Sequence, residues 1–160
     1  MEKRMKQSVG IDCGIEELVV AFGVMDKNFN TRILSNTQFT NDDTGFKKLL
    51  QWSNKLDPQE QPVEYVIEAT GVYHEKIALY LHEHGCKIIV LLPNKAKAFS
   101  KTLSVKTVND KVSAQMLAQF GLEKKMDAWQ PPKKVFNELK QLTRERDQLM
   151  HELTQIKNQL

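Results

Sequence analysis

Two short runs, "VEYVIEAT" at 63–70 and "KIIVLL" at 87–92, limit what this chain can fold into more than any other feature. Both are too apolar for strands with a face in water, and the second is continuously apolar. Strands of that kind are buried on both faces in parallel sheets. Between them lies "GVYHEKIALYLHEHG", which reads as a helix with Tyr73, Ile77, Tyr80 and Leu81 on one face and Gly85 as its stop. Strand, helix and strand in that order imply a crossover unit with helices covering the sheet.

The flanking segments extend this pattern. Residues 8–13, 16–25 and 31–39 read as strands, with "GIEE" at the first turn, and two consecutive hairpins make them an antiparallel meander. "TNDD" offers a helix cap and first-turn acids, and Phe46, Leu49, Leu50 and Trp52 follow at roughly helical spacing. "KLDPQEQP" is a loop broken by Pro58 and Pro62. A short helix is expected after Pro93, and another from Asn109–Asp110 carrying Val112, Met116, Leu117 and Phe120. The expected fold class is therefore α/β, a mixed sheet flanked by helices on both faces.

Residues 1–126 are expected to form this domain, with a linker at 127–134 in which Pro131 and Pro132 stop any helix and Trp129 anchors the segment. From 135 to 160, Val135, Leu142, Leu149 and Ile156 repeat every seven residues, as do Leu139, Arg146, Leu153 and Leu160. This a/d seam, with one Arg at a core position, predicts the start of a coiled-coil helix; a helix packed on its own domain is the other reading. The repeat breaks off at Leu160 in mid-pattern, so the expectation is a piece of something longer.

At 41% hydrophobic and 27% charged residues, the chain has a globular rather than a disordered composition. No apolar run approaches the ~20 residues that span a bilayer, and the charged N-terminus lacks the apolar core of a signal peptide. Cys13 and Cys86 lie in apolar strand-like stretches and read as reduced core residues, which favours a cytoplasmic protein. The net charge is only +3, but Lys87, Lys95, Lys97, Lys101 and Lys106 fall between Gly85 and Asn109 with no acid among them. That stretch is either a solvated surface or a phosphate-facing patch.

One carboxylate sits where an apolar strand would not place it. In "GIDCGIEELVVAFGV", Asp12 interrupts a buried run between Gly10 and Gly14. A buried charge shifts its pKa, finds a partner or binds a metal. Glu68 ends the "VEYVIE" strand and Asp110 opens a late helix. If the first and fourth strands are neighbours, Asp12 and Glu68 project side by side, and close carboxylates favour a divalent cation. Hard oxygen ligands select magnesium or manganese, which in two-metal sites serve phosphodiester chemistry. Taken singly, Glu68 also reads as a cap acceptor and Asp110 as a first-turn acid favoured by the helix dipole.

"VGIDCG", "VIEATGVYHEKIALYLHEHG", "VLLPNKAKAFSKTLSVKTVNDKVSAQMLAQFG" and the trailing heptads resemble, in order and spacing, the N-terminal half of the DEDD-type insertion-sequence transposases. That family is similar to the Piv invertase and includes the bridge-RNA-guided recombinases. The resemblance covers nearly the whole chain. It implies an RNase H-like, RuvC-like fold, strand cleavage and exchange of an insertion sequence, and DNA and a guide RNA as partners. It also implies Mg2+ held by four acids, a homodimer or higher assembly through the coiled coil, and a second domain with a nucleophilic serine that lies outside these residues. Matched position by position, the first three acids fall on Asp12, Glu68 and Asp110. The fourth, in a D-x-x-D-A pattern, falls on Ser113, because this sequence reads "DKVSA". Positions i and i+3 share a helix face, so the slot points toward the site, but a hydroxyl ligates magnesium more weakly than a carboxylate. The lysine stretch, Lys95, Lys97, Lys101 and Lys106, then acquires nucleic acid as its expected partner.

Two other classes compete. A D-x-G strand turn also opens actin-like and sugar-kinase ATPases, but the second phosphate-binding D-x-G-G loop is absent. A non-catalytic nucleic-acid-binding and oligomerisation module is the alternative that Ser113 favours. His74 lies within reach of the acid site but reads as a capping or surface residue, and His82 and His84 read as solvated.

Overall fold

Three long strands open the chain: β1 (Arg4–Cys13), β2 (Glu17–Asp26) and β3 (Thr31–Thr40). They form the expected antiparallel meander, with Ile11 opposite Val20 and Val20 opposite Thr37. The structure, a computed structural model, describes residues 4–57, 61–103 and 109–159. After helix α1 (Asp43–Leu56), β4 (Val63–Glu68) pairs parallel to β1; after α2 (Glu75–Glu83), β5 (Lys87–Leu91) pairs parallel to β4. The sheet order is β3-β2-β1-β4-β5. Helices α3 (Pro93–Thr102), α4 (Asp110–Glu123) and α5 (Lys134–Gln159) complete the chain.

Strand alternation sorts the core into two layers. Val9, Ile11, Leu18, Val20, Phe22, Tyr65 and Ile67 pack with Phe46 and Leu49 of α1 and Ile77, Ala78 and Leu81 of α2. The other face carries Val66, Ile89 and Leu91 against Ala96 and Phe99 of α3 and Leu117 and Phe120 of α4. On the same face Val19 and Ala21 meet Ala114 and Ala118 of α4. Asp42 caps α1 by accepting the Gly45 N–H at 2.8 Å, and Asn109 caps α4 by accepting the Val112 N–H at 2.9 Å. Pro93 opens α3, where a missing N–H costs nothing.

The sheet differs from the sequence reading in three details. β1 begins at Arg4 rather than at residue 8, because Arg4, Lys6 and the fully buried Gln7 are polar and give no apolar signal. β4 ends at Glu68 rather than at residue 70. α2 begins only at Glu75, because Gly71 takes φ +59° and starts a turn. Tyr73 therefore precedes the helix and is 39% exposed, not part of the apolar helical face.

The chain divides into two units, Met1–Trp129 and Gln130–Leu160. In the first, Trp129 packs against the α1/α2 core layer and donates its backbone N–H to the Ile88 carbonyl at 2.7 Å. The second contains α5, with no buried residue; Val135, Leu139, Leu142, Leu149, Leu153 and Ile156 are all exposed. Arg146, on that seam, pairs with its neighbour Asp147 at 3.3 Å. Among the described residues, no helix is long and apolar enough to cross a membrane, and both cysteines are free thiols.

Candidate functional site

The close approach of α4 to β1 builds the site. Gly10 lies under the helix, where an added Cβ would collide with the Ala114 carbonyl oxygen and the Ala118 nitrogen. One helical turn or so further on, Gly121 rests on Ser8, and a Cβ there would overlap the serine hydroxyl. Small residues at 114, 118 and 121 on α4, facing glycine on β1, let two backbones touch. The consequence is positional. Two residues beyond Gly10 on the same strand face is Asp12, and the first turn of α4 stands directly over it.

Glu68 arrives through strand register. Gly10 pairs with Val66 and Ile11 with Ile67 in the parallel β1/β4 ladder. The next residues, Asp12 and Glu68, follow side by side at the carboxyl ends of their strands, the edge where open α/β sheets bind ligands. Glu68 remains half-buried. Asp110 occupies the first turn of α4, and Ser113 lies one turn on.

The electrostatics report this convergence. The Asp12 carboxyl is pushed up to about 6, first by burial, then by the charges of Asp110 and Glu68; a hydrogen bond with the Ser113 side chain works in the opposite direction. Burial, with Asp12 and Glu68 nearby, pushes the Cys13 thiol up to about 12, so this cysteine is an inert neighbour. The cluster lies between two concavities. One, of about 510 Å³, is lined by Asp12, Asp110, Glu16 and Glu17. The other, of about 450 Å³, is lined by Glu68, Ser113, Lys97, Ser100 and Lys101. Asp12 lines the first and Ser113 the second.

Two of the predicted lysines therefore share a groove with one predicted acid, Glu68. Lys97 and Lys101, four residues apart, lie on one side of α3 and line the groove beside Glu68. Lys95 is exposed on α3 and is not among the residues lining it. Lys106 lies outside the described residues. His74 is half-buried immediately before α2. The stripe Ala114, Ala118 and Gly121, which sets the depth of α4, carries no apolar signal; its i, i+4, i+7 spacing of small residues is the only trace of it in the sequence.

The donor set suits a hard divalent cation: three carboxylates and a hydroxyl, all oxygen. The mutual repulsion that raises Asp12 is the kind a cation relieves. Among the described residues, no three His, Cys, Asp or Glu side chains close on one point tightly enough to hold a metal ion. The carboxylates share a field without yet sharing a ligating point.

Residues 9–160 match the model of a family described as Transposase, the DEDD type of IS110. The pilin gene-inverting protein of Moraxella lacunata is 33% identical over 136 residues, which are 84% of this chain and 39% of that protein. The pilin gene-inverting protein of Moraxella bovis is 35% identical over 105 residues, 66% of this chain and 32% of that protein. The chain thus spans well under half the length of these relatives. The RuvC structure of Thermus thermophilus superposes with a TM-score of 0.54 at 12% identity, covering 77% of this chain and 99% of RuvC. The fowlpox virus Holliday junction resolvase gives 0.51 at 14% identity, covering 73% and 98%. At such identities the likeness is one of fold, and the fold is the RuvC-like one that the motifs imply.

Proposed function

Because the chain belongs to the DEDD-type IS110 transposase family, we propose that it is the metal-binding part of a transposase that cuts and exchanges DNA strands of an insertion sequence. The observation that supports this reading is the placement of Glu68 next to Asp12 by strand register, with Asp12 and Asp110 lining one cavity. Asp12, Glu68 and Asp110 are the residues assigned to catalysis and to the metal, with Ser113 in the slot of the family's fourth acid. Bound magnesium or manganese supplies the Lewis acidity that polarises a phosphodiester and activates its nucleophile.

The chain's own residues set the geometry. The Ser113 hydroxyl beside Asp12 favours the charged form of its carboxyl. The Gly10 contact fixes the height of Asp110. Lys97 and Lys101 hold the sugar-phosphate backbone beside Glu68, and Lys95 and Lys106 extend the basic surface. The exposed seam of α5 pairs with a second copy, because an unpaired apolar stripe of this length is rarely left in water. A guide RNA as a further partner is supported by family membership alone.

A second reading is a non-catalytic nucleic-acid-binding and assembly module. Ser113 in place of a fourth carboxylate favours it, as does the looseness of the acid cluster. Magnesium titration by calorimetry separates the two. Saturable binding that is lost in Asp12→Asn supports the metal site; identical heats from both proteins reject it.

A further inference from the structure

We propose that the groove between α4 and the edge strand β3 is a second arm of the DNA path, with Lys111 as its cationic anchor. DNA would then be held on both sides of the acids. This deepens the reading above and rests on it.

Three concavities follow one another across the carboxyl end of the sheet. The groove holding Lys97 and Lys101 is also lined by Glu68 and Ser113, and Ser113 lies one turn along α4 from Asp110, which lines the acid cavity with Asp12. Beyond the acids, Val19 lines both the acid cavity and a third concavity of about 430 Å³, whose other walls are Asn36, Thr37, Gln38 and Lys111. The track is thus cationic at one end, anionic in the middle, and cationic and amide-rich at the other.

The phase of α4 explains the layout. Asp110 and Ala114 face the sheet, Val112 and Met116 face α3, and Lys111 and Gln115 face β3. Gln115 donates from Nε2 to Asn36 Oδ1 at 3.1 Å, which ties the helix to the edge strand and fixes the groove. Asn36 and Gln38 stand opposite Ala21 and Val19 in the β2/β3 ladder, so they share the sheet face that α4 covers. Lys111 is exposed and directly follows a site acid. Charge complementarity and continuity with the acid cavity select a polyanion as occupant, and a strand already held at Lys97 and Lys101 supplies one. The side-chain amides of Asn36 and Gln38 on the β3 wall suit phosphate and sugar oxygens, which position a strand without reading its sequence.

The test is fluorescence anisotropy of the full chain with single-stranded DNA in magnesium buffer, across a salt series. Lys111→Ala should weaken binding several-fold and lower the salt slope by about 0.7, the loss of one phosphate contact on a single strand. Gln38→Lys should strengthen binding and steepen the slope by a similar amount. If Lys97→Ala with Lys101→Ala lowers the slope while Lys111→Ala and Gln38→Lys are silent, the second arm is wrong and the first stands. If wild type does not bind DNA, or the Lys97 and Lys101 changes are silent too, the reading of the site itself fails. Effects of Lys111→Ala confined to an RNA probe would overturn DNA as the occupant.

Discussion

Replacing Asp12 with Asn should make the metal-free chain more stable at neutral pH, although it removes a proposed ligand. The folded-state carboxyl sits at about 6 against an ordinary 3.8. A group raised on folding contributes stability that is complete below its unfolded pKa and is lost as pH climbs through the folded one. Between roughly pH 4 and 6, therefore, ionisation of Asp12 opposes folding. A two-unit shift corresponds to about 3 kcal/mol, but Asp12 is half-buried and solvent screens part of its field, so about 1–1.5 kcal/mol is the better expectation. Asn is nearly isosteric, and its carbonyl still accepts from Ser113. Urea denaturation in chelator at about pH 7 should show the variant more stable by that amount. At about pH 3, below the ordinary 3.8, the two proteins should coincide, because the Asp12 carboxyl is then largely protonated in both the folded and the unfolded chain. Magnesium at neutral pH should stabilise wild type and leave the variant unmoved. Equal or lower stability of Asp12→Asn at neutral pH, with unchanged folding at acid pH, would refute the crowding of charge on which the site rests.

Gly10→Ala should cost about 3 kcal/mol by overpacking against α4 and should abolish the magnesium response with it, read by thermal denaturation with and without metal. Ser113→Asp should tighten magnesium binding about tenfold by calorimetry, since it adds a charged ligand, while lowering metal-free stability at neutral pH. Leu149→Asp should reduce the sedimentation coefficient of the full chain to that of a monomer, because it puts a charge into the exposed seam of α5; a wild type already monomeric at high micromolar concentration would remove the assembly proposal.

The parts of this fold that were legible in the sequence are those where one physical demand dominates a segment. "KIIVLL" had to be a buried strand, and Asp12 was conspicuous because a charge inside such a run needs a reason. Asn109 and Pro93 mark helix starts by their own chemistry. What stayed hidden depends on relations between segments. The pairing of Asp12 with Glu68 could be stated only on condition that β1 and β4 are neighbours, since it needs the parallel register of Ile11 with Ile67. The height of Asp110 needs Gly10 and Gly121, and glycine announces permission rather than a partner. Gln7 is buried in β1 although it is polar, and Arg4 and Lys6 precede it, so the strand reads as four residues too short. The lysine stretch was visible as charge, but only the phase of α3 separates Lys97 and Lys101, which line the groove, from Lys95 outside it. Tyr73 was misplaced because aromatic spacing continued across a turn that Gly71 had already begun.

The central claim is that Asp12, Glu68 and Asp110 hold a divalent cation. Anomalous diffraction from crystals soaked in manganese addresses it directly. The expected result is an anomalous peak between the three carboxylates within ligating distance of Asp12, and its disappearance in Asp12→Asn crystals. A manganese-saturated crystal with peaks only elsewhere on the molecule, or with a peak that survives the substitution, would contradict it.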